Sequence, residues 1–181
     1  MEGEGNERKF ILSFSSEEPY LRWFGSEILD HSDGAVDLTR IDVGTLLFNH
    51  NRDVIIGRIN RIWIENRRGQ AEIEFVEEDE ESEKFYKKVK NGMVKGVSVG
   101  YKVDEWEEVI ANKSSSDGRF TGPCSIAKRW TPFEISIVSV PADPTVGVGR
   151  EMEEAEIRQQ ETGKSFLSNY ERQLQINLNT L

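Results

Sequence analysis

Short segments in which apolar and polar residues alternate follow one another through most of the chain. Residues 10–14 and 54–64 are rich in strand-forming residues, and residues 71–75 place apolar side chains at every second position with glutamate between them. A period of two is typical of a strand with one buried face. Because the polar residues 66–69 separate two of these segments, the pattern predicts a β-hairpin.

A second pattern, with apolar residues four apart, predicts an amphipathic helix over residues 78–90. Phe85 and Val89 supply the apolar positions, acidic residues come first, lysines come last, and Gly92 follows as the expected terminator. This order of charges complements the helix macrodipole. The acidic and basic run is therefore interpreted as part of the helix and not as a binding tail.

Two more strands are predicted after this helix, over residues 96–106 and 126–140. A polar loop at residues 112–118 lies between them. Strands therefore outnumber helices, and the pattern predicts a mainly β (α+β) fold.

The length of 181 residues suits one compact domain with tails, since a chain of this size can bury a core without disulfides. Residues 1–8 are charged and glycine-rich, and we predict that they are disordered. Residues 9–149 hold the predicted strands and form the domain. From residue 150 the composition changes to Glu, Gln and Arg, and the apolar spacing predicts a helical tail or linker over residues 150–181.

The chain carries 23 Lys and Arg residues against 33 Asp and Glu residues, a formal net charge of -10. This balance argues against nucleic acid as a partner, because phosphate binding needs clustered cations. Arg58, Arg61, Arg67 and Arg68 are a local exception. We interpret them as the solvated face and turn of the predicted hairpin and not as a binding patch.

No segment approaches the length of a membrane span, and the amino terminus lacks the pattern of a secretory signal. The single cysteine, Cys124, excludes an internal disulfide framework and a two-cysteine metal site. We therefore expect a soluble protein of the cytosol that works without membrane, metal or cofactor.

The most informative chemical pattern is Gly-Val-Ser-Val-Gly at residues 96–100. In a strand, Ser98 shares one face with the two glycines, so its hydroxyl stands on a face bare of other side chains. Glycines inside a strand indicate close approach by a ligand or another backbone, and a substrate peptide would be such a ligand. The same spacing occurs in the elbow of α/β-hydrolases, but the alternation continues to Trp106 and favours an uninterrupted strand.

A serine hydroxyl needs a neighbouring base to act as a nucleophile, and the chain has two histidines. His31 lies in a polar turn, where a solvated surface histidine is expected. His50 lies where an apolar strand meets a polar bend, which makes it the better candidate for the base. Glu134 and Ser136 share one face of an otherwise apolar strand, where Glu134 either pairs with His50 or faces water.

Two rival sites have less specific patterns. Cys124 with His50 could form a cysteine nucleophile pair, although only Lys128 and Arg129 offer it an activating context. A two-carboxylate hydrolase or a metal site would have to draw on acidic residues that lie mostly in solvated runs. Neither rival has a specific spacing.

Four segments occur in a fixed order along the chain: Leu-Leu-Phe-Asn-His at residues 46–50, Val-Lys-Gly-Val-Ser-Val-Gly-Tyr at 94–101, Glu-Ile-Ser-Ile-Val at 134–138 and Pro-Ala-Asp-Pro at 141–144. Together they resemble the tailed-bacteriophage (Caudovirales) prohead maturation serine protease family, which is related to herpesvirus assemblin. The similarity runs from about Phe10 to Thr145 and covers nearly the whole predicted domain.

The resemblance implies a serine endopeptidase folded as a closed antiparallel β-barrel surrounded by a few helices. It implies that Ser98 is the nucleophile, His50 the general base and Glu134 the third catalytic member, where assemblin has a second histidine. Ser136, on the same face as Glu134, stays the alternative third member. The oxyanion donors stay open, because residues 141–149 contain no arginine to match the arginine pair of assemblin.

The resemblance further implies a protease that processes scaffold and major capsid protein segments, and itself, inside the assembling procapsid in the host cytoplasm. Its partners would be proteins of the head and, by analogy with assemblin, a second copy in a homodimer. A noncatalytic scaffolding or capsid-binding protein on the same barrel is the alternative, and a small-molecule esterase or amidase is a third hypothesis. The joint presence of His50 and Ser98 in the matching segments favours the protease.

Overall fold

The computed structural model describes residues 8–23, 25–41 and 44–149. All of them belong to Met1–Gly149, the first of two units into which the chain divides. The prediction of a helical tail at residues 150–181 lies outside the described residues, and so does that of a disordered amino-terminal segment, Arg8 apart.

The described residues form nine strands and one helix. In chain order these are β1 (Lys9–Ser15), β2 (Tyr20–Arg22), β3 (Gly25–Leu29), β4 (Thr45–Phe48), β5 (Asn51–Glu65), β6 (Arg68–Glu74), α1 (Glu80–Lys90), β7 (Gly96–Val109), β8 (Cys124–Val138) and β9 (Gly147–Val148). The strands and the helix predicted from the sequence are all present, with ends shifted by a few residues. The short strands β2, β3 and β9 have no counterpart among the predictions.

Strand β8 is the centre of the sheet because three strands pair with it. On one edge it pairs in parallel with β3 near its start and with β4 near its end. Its other edge pairs with β7 in antiparallel fashion along almost the whole length. From β4 the sheet continues through the antiparallel neighbours β5, β6, β1 and β9, and β2 pairs with β3.

The prediction of a closed antiparallel β-barrel surrounded by helices is wrong. The chain is mostly β, but its sheet is mixed and is not closed, and a single helix is present in the described part. Closure would require a ladder between β7 and the strands at the other end of the sheet. β9 has only two residues. Towards β7 it donates a backbone hydrogen bond from Val148 to the carbonyl of Lys95 at 3.0 Å, just before β7 begins, and this contact is too short to form a ladder along the fourteen residues of β7.

The core consists of the inner faces of the long strands together with α1. Fully buried apolar side chains come from every long strand, among them Leu12, Ile56, Ile73, Val97 and Ile135. Alternation along each strand leaves the neighbouring residues on the outer face. The candidate chemistry therefore lies on the outer face of β7 and β8.

Helix α1 covers one part of this core with Phe85, Tyr86 and Val89. Its first turn is capped by Asp79, whose carboxylate accepts a hydrogen bond from the amide of Ser82 at 2.6 Å. The acidic first turn and basic last turn follow the predicted order. No helix in the described ranges is long and apolar enough to cross a membrane.

Candidate active site

His50 lies in the tight turn between β4 and β5. Asn49 and His50 both have positive φ angles, 49° and 58°, the backbone pattern of a two-residue hairpin turn. The Asn49 amide donates to the carbonyl of Ile137 at 2.9 Å, and its side-chain oxygen accepts from the amide of Ser139 at 3.1 Å. These bonds fix the turn to the end of β8. A histidine in the left-handed region is uncommon, and such strain is often found at functional sites.

Ser98 and Glu134 come from two neighbouring strands. In the antiparallel register of β7 and β8, Ser98 lies opposite Ser136, and Gly100 lies opposite Glu134. Cross-strand neighbours on one face have Cβ atoms about 5 Å apart. The register therefore brings Ser98, Glu134 and Ser136 together on the outer face, next to the turn that carries His50.

A continuous chain of hydrogen bonds joins these side chains. His50 Nε2 is 2.9 Å from Ser98 Oγ, and His50 Nδ1 forms a short hydrogen bond with Glu134 Oε1. Because a carboxylate accepts at Nδ1, that nitrogen carries the proton, and Nε2 is left to accept from the serine hydroxyl. The His50 side chain is 45% exposed and the Glu134 side chain 12% exposed, so the imidazole is open to a substrate while its partner is shielded.

Ser136 bridges the carboxylate and the histidine backbone. Its hydroxyl donates to Glu134 Oε2 at 2.7 Å and accepts from the His50 amide at 3.1 Å. Ser136 is fully buried. The structure therefore places Glu134 at the imidazole, whereas Ser136 holds both the carboxylate and the strained turn.

The glycines beside Ser98 make room for groups of the protein itself. A Cβ atom on Gly100 would lie 2.8 Å from Glu134 Cγ and 2.8 Å from a ring carbon of Phe133. A Cβ atom on Gly96 would lie 2.6 Å from the Val138 carbonyl oxygen. The expected close approach is present, but the groups that approach are a side chain and a carbonyl of this chain.

Ser98 and His50 open onto a cleft of about 620 Å³, which we call the β7 cleft. It is lined by residues 97–101 and Val103 of β7 and, from other parts of the chain, by residues 14–16, 20 and 142–143, among others. The strand continues without a turn from Ser98 to Val109, as the alternation predicted, so the α/β-hydrolase elbow is excluded.

His31 is not the solvated surface residue that the sequence predicted. It is 3% exposed, and its Nε2 accepts from Ser15 Oγ at 2.7 Å while Nδ1 donates to the Leu29 carbonyl at 2.8 Å. The ring lies 5.4 Å from that of Trp130. Burial away from water lowers the pKa of His31 to about 4, which keeps it neutral. The adjacent apolar pair Ile28 and Leu29 was the signal that this turn packs inward.

The rival sites are not assembled in the described residues. Cys124 lies ten residues before Glu134 on β8, roughly 30 Å along the strand, and is buried, which raises the pKa of its thiol. No cluster of three or more His, Cys, Asp or Glu residues suited to a metal ion occurs in the part of the chain that is described. Of the hairpin arginines, Arg58 pairs with Glu74 at 2.8 Å and Arg67 with Glu17 at 3.7 Å.

Comparison with known proteins gives a matching family and a matching relative. The model of a family described as caudovirus prohead serine protease matches residues 4–161. A protein named major capsid protein from Halomonas phage phiHAP-1 is 40% identical over 144 residues, which are 77% of this chain and 23% of that protein. The chain thus spans about a quarter of the length of this relative. No solved structure matches.

Proposed function

Because the chain belongs to the caudovirus prohead serine protease family, we propose that it is a serine endopeptidase that cleaves proteins of the assembling phage head. The observation that carries the proposal is the hydrogen-bonded series Ser98, His50 and Glu134 at the mouth of the β7 cleft. Two neighbouring strands and the turn between β4 and β5 bring the three residues together in the order that nucleophilic catalysis requires.

In the proposed reaction, Ser98 Oγ attacks the carbonyl carbon of the scissile peptide bond while His50 Nε2 takes the hydroxyl proton. The resulting imidazolium is stabilised by the negative charge of Glu134. The carboxylate accepts a hydrogen bond from Nδ1–H throughout and does not itself become protonated. His50 then gives its proton to the departing amine, the C–N bond breaks, and an acyl-enzyme ester remains on Ser98. A water molecule then attacks the ester carbonyl carbon while His50 Nε2 takes its proton. His50 returns this proton to Ser98 Oγ as the ester C–O bond breaks, and the acid product leaves.

We propose scaffold segments and the major capsid protein as substrates, together with the chain itself, inside the procapsid in the host cytoplasm. The relative named major capsid protein supports this choice, because the matching segment is about a quarter of a longer polypeptide. A peptidase joined to capsid sequence in one polypeptide would be covalently linked to its substrate. Self-cleavage would then separate the two parts.

Intact-mass spectrometry of the full-length chain, incubated with and without the matching capsid precursor, tests the proposal. We expect trimming of the precursor or of the chain itself, and we expect Ser98→Ala to abolish it while the fold is retained. Ser116→Ala, which removes an exposed hydroxyl from the 112–118 loop, is the matched control and should cleave normally. Removal of a serine nucleophile lowers kcat by roughly 10⁶-fold, so the loss of cleavage should be easy to detect.

Three results would contradict the proposal. Cleavage by the Ser98→Ala variant would remove the serine mechanism. Intact masses in every reaction, with binding of the capsid precursor retained, would favour the noncatalytic scaffolding alternative. Serine-dependent turnover of activated esters without cleavage of any protein would favour the esterase hypothesis.

A further inference from the structure

The β7 cleft lies along the edge of β7 that is opposite β8 and that no strand of residues 8–23, 25–41 and 44–149 covers. Residues 97–101 all line it, although successive side chains of a strand point to opposite faces. A cavity that contacts five consecutive residues must therefore run along an edge of the strand. β8 occupies the other edge throughout, and the described residues supply no strand partner on the cleft side.

The open edge exposes apolar side chains that a closed sheet would bury. Val99, Tyr101 and Val103 point to the inner face and pack against the core, yet each is half-buried and lines the cleft. Phe14 and Leu29 contribute further apolar surface to the same cavity. The volume of about 620 Å³ is large enough for several side chains of a bound peptide.

Two of the carboxylates that line the cleft already accept hydrogen bonds from other groups of this chain. Glu27 accepts from the Tyr101 hydroxyl and from the Arg22 guanidinium at 3.3 Å. Asp143 accepts from Ser16 Oγ at 2.5 Å and from the amide and hydroxyl of Thr145 at 2.8 and 2.7 Å. The third, Glu18, is exposed to water. The carboxylates of the cleft are therefore hydrogen-bonded or hydrated, and Val99, Tyr101 and Val103 supply the apolar surface that a substrate side chain can contact.

From these observations we infer that the β7 cleft receives an extended peptide along the free edge of β7 and selects a bulky apolar side chain next to the scissile bond. The inference rests on the proposed peptidase function. An extended peptide can hydrogen-bond to the unpaired backbone of an edge strand, and its alternate side chains then enter pockets on either face. A side chain that enters beside Val99 and Tyr101 leaves water for an apolar surface, whereas a charged one would lose its hydration without a partner.

A synthetic library of mixed-sequence peptides tests the inference. The full-length chain and its Ser98→Ala variant are incubated with the library, and the serine-dependent products are sequenced by mass spectrometry. We expect one position within two residues of the cleaved bond to favour Leu, Ile, Met, Phe or Tyr over Lys, Asp or Glu by at least about tenfold, the usual scale for an apolar pocket. N-methylation of backbone amides in the best peptide should slow cleavage by a similar factor.

Val99→Phe fills the cleft and should change the preference. We expect kcat/KM for the best peptide to fall by about tenfold or more, while a peptide with alanine at the selected position is cleaved within about twofold of the original rate. Val76→Phe, the same change at an exposed valine that does not line the cleft, is the matched control. If Val99→Phe fails to fold, Val99→Ala replaces it and should extend the preference to tryptophan.

The outcomes separate the two proposals. Serine-dependent cleavage with no residue preference near the bond, or with a preference for charged residues, would overturn the inference and leave the peptidase standing. Cleavage that does not depend on Ser98, or no cleavage of any substrate, would overturn the proposed function and this inference with it.

Discussion

Glu134 and Ser136 lie two residues apart on β8, and their contacts with His50 differ in kind. Glu134 meets the imidazole at Nδ1, whereas Ser136 meets the backbone amide of His50 and the far oxygen of the carboxylate. Only Glu134 can stabilise the positive charge that forms on the imidazole during attack. Ser136 acts indirectly, as a positioning residue that holds the Glu134 carboxylate and the turn that carries His50.

The two residues should therefore differ in their effect on kcat. We expect Glu134→Gln to lower kcat by about 10²- to 10⁴-fold, because it removes the charge and disturbs the tautomer of His50. Ser136→Ala should lower kcat by about tenfold, the scale of one hydrogen bond to a charged group. Both values come from kcat and KM on one peptide substrate. A larger loss from Ser136→Ala than from Glu134→Gln would make Ser136 the third catalytic member.

Gly100 gives a second test of the same geometry, because it leaves room for Glu134. In Gly100→Ala the new methyl group would overlap Glu134 Cγ and the Phe133 ring. We expect kcat to fall by at least about tenfold, because the carboxylate is displaced from the imidazole of His50. Thermal unfolding checks that the fold is retained. Unchanged kcat in a folded variant would show that Glu134 does not need this space.

Helix α1 is held in place by one buried hydroxyl as well as by its apolar face. Ser82 Oγ donates to the Ile56 carbonyl of β5 at 2.6 Å and accepts from the Val76 amide at 2.8 Å. Ser82→Ala leaves both backbone groups without this partner at a site that is 1% exposed. We expect a loss of about 1–3 kcal/mol in the free energy of unfolding by urea. Lys84→Ala, on the exposed side of the same helix, should change it by less than about 0.5 kcal/mol.

At the scale of elements, the sequence predicts best where periodicity is long and partners are local. The hairpin of β5 and β6 and the helix α1 have clear patterns of their own. β2, β3 and β9 have two to five residues each, and β3 is fixed by parallel pairing with β8, almost a hundred residues away in the chain. The positions of such strands are determined by partners that are distant in the chain, so the local sequence shows little periodicity.

At the scale of the whole molecule, the candidate site was more predictable than the closure of the sheet. His50, Ser98 and Glu134 are recognisable because each stands out chemically in an apolar strand or beside one, and β8 brings their strands together. Closure depends on the length of β9 and on the distance between β1 and β7. Neither of these produces a periodic pattern of apolar residues in the sequence. The burial of His31 was missed for a related reason, since its partners Ser15 and Trp130 lie far from it in sequence.

His31 also couples the stability of the whole sheet to pH. It packs between β1, β3 and β8, where burial lowers its pKa to about 4 from an ordinary value near 6.5. Between these two values the unfolded chain binds a proton that the folded chain does not bind. The contribution of His31 to stability is therefore complete above pH 6.5 and is lost as the pH drops towards 4, by about 3 kcal/mol in total.

Urea unfolding between pH 7 and pH 4.5 measures this effect. We expect the free energy of unfolding to fall by about 2–3 kcal/mol over this range. In His31→Gln most of this pH dependence of the free energy of unfolding should disappear. Glutamine can accept a hydrogen bond from the Ser15 hydroxyl, but it has no proton to gain or lose in this pH range. His50→Gln, at the other and half-exposed histidine, is the control for the loss of an imidazole. Asp30, whose pKa is lowered to about 2, loses its contribution only below pH 4, so it does not obscure the result. An equal slope in the original chain and in His31→Gln would contradict the assignment.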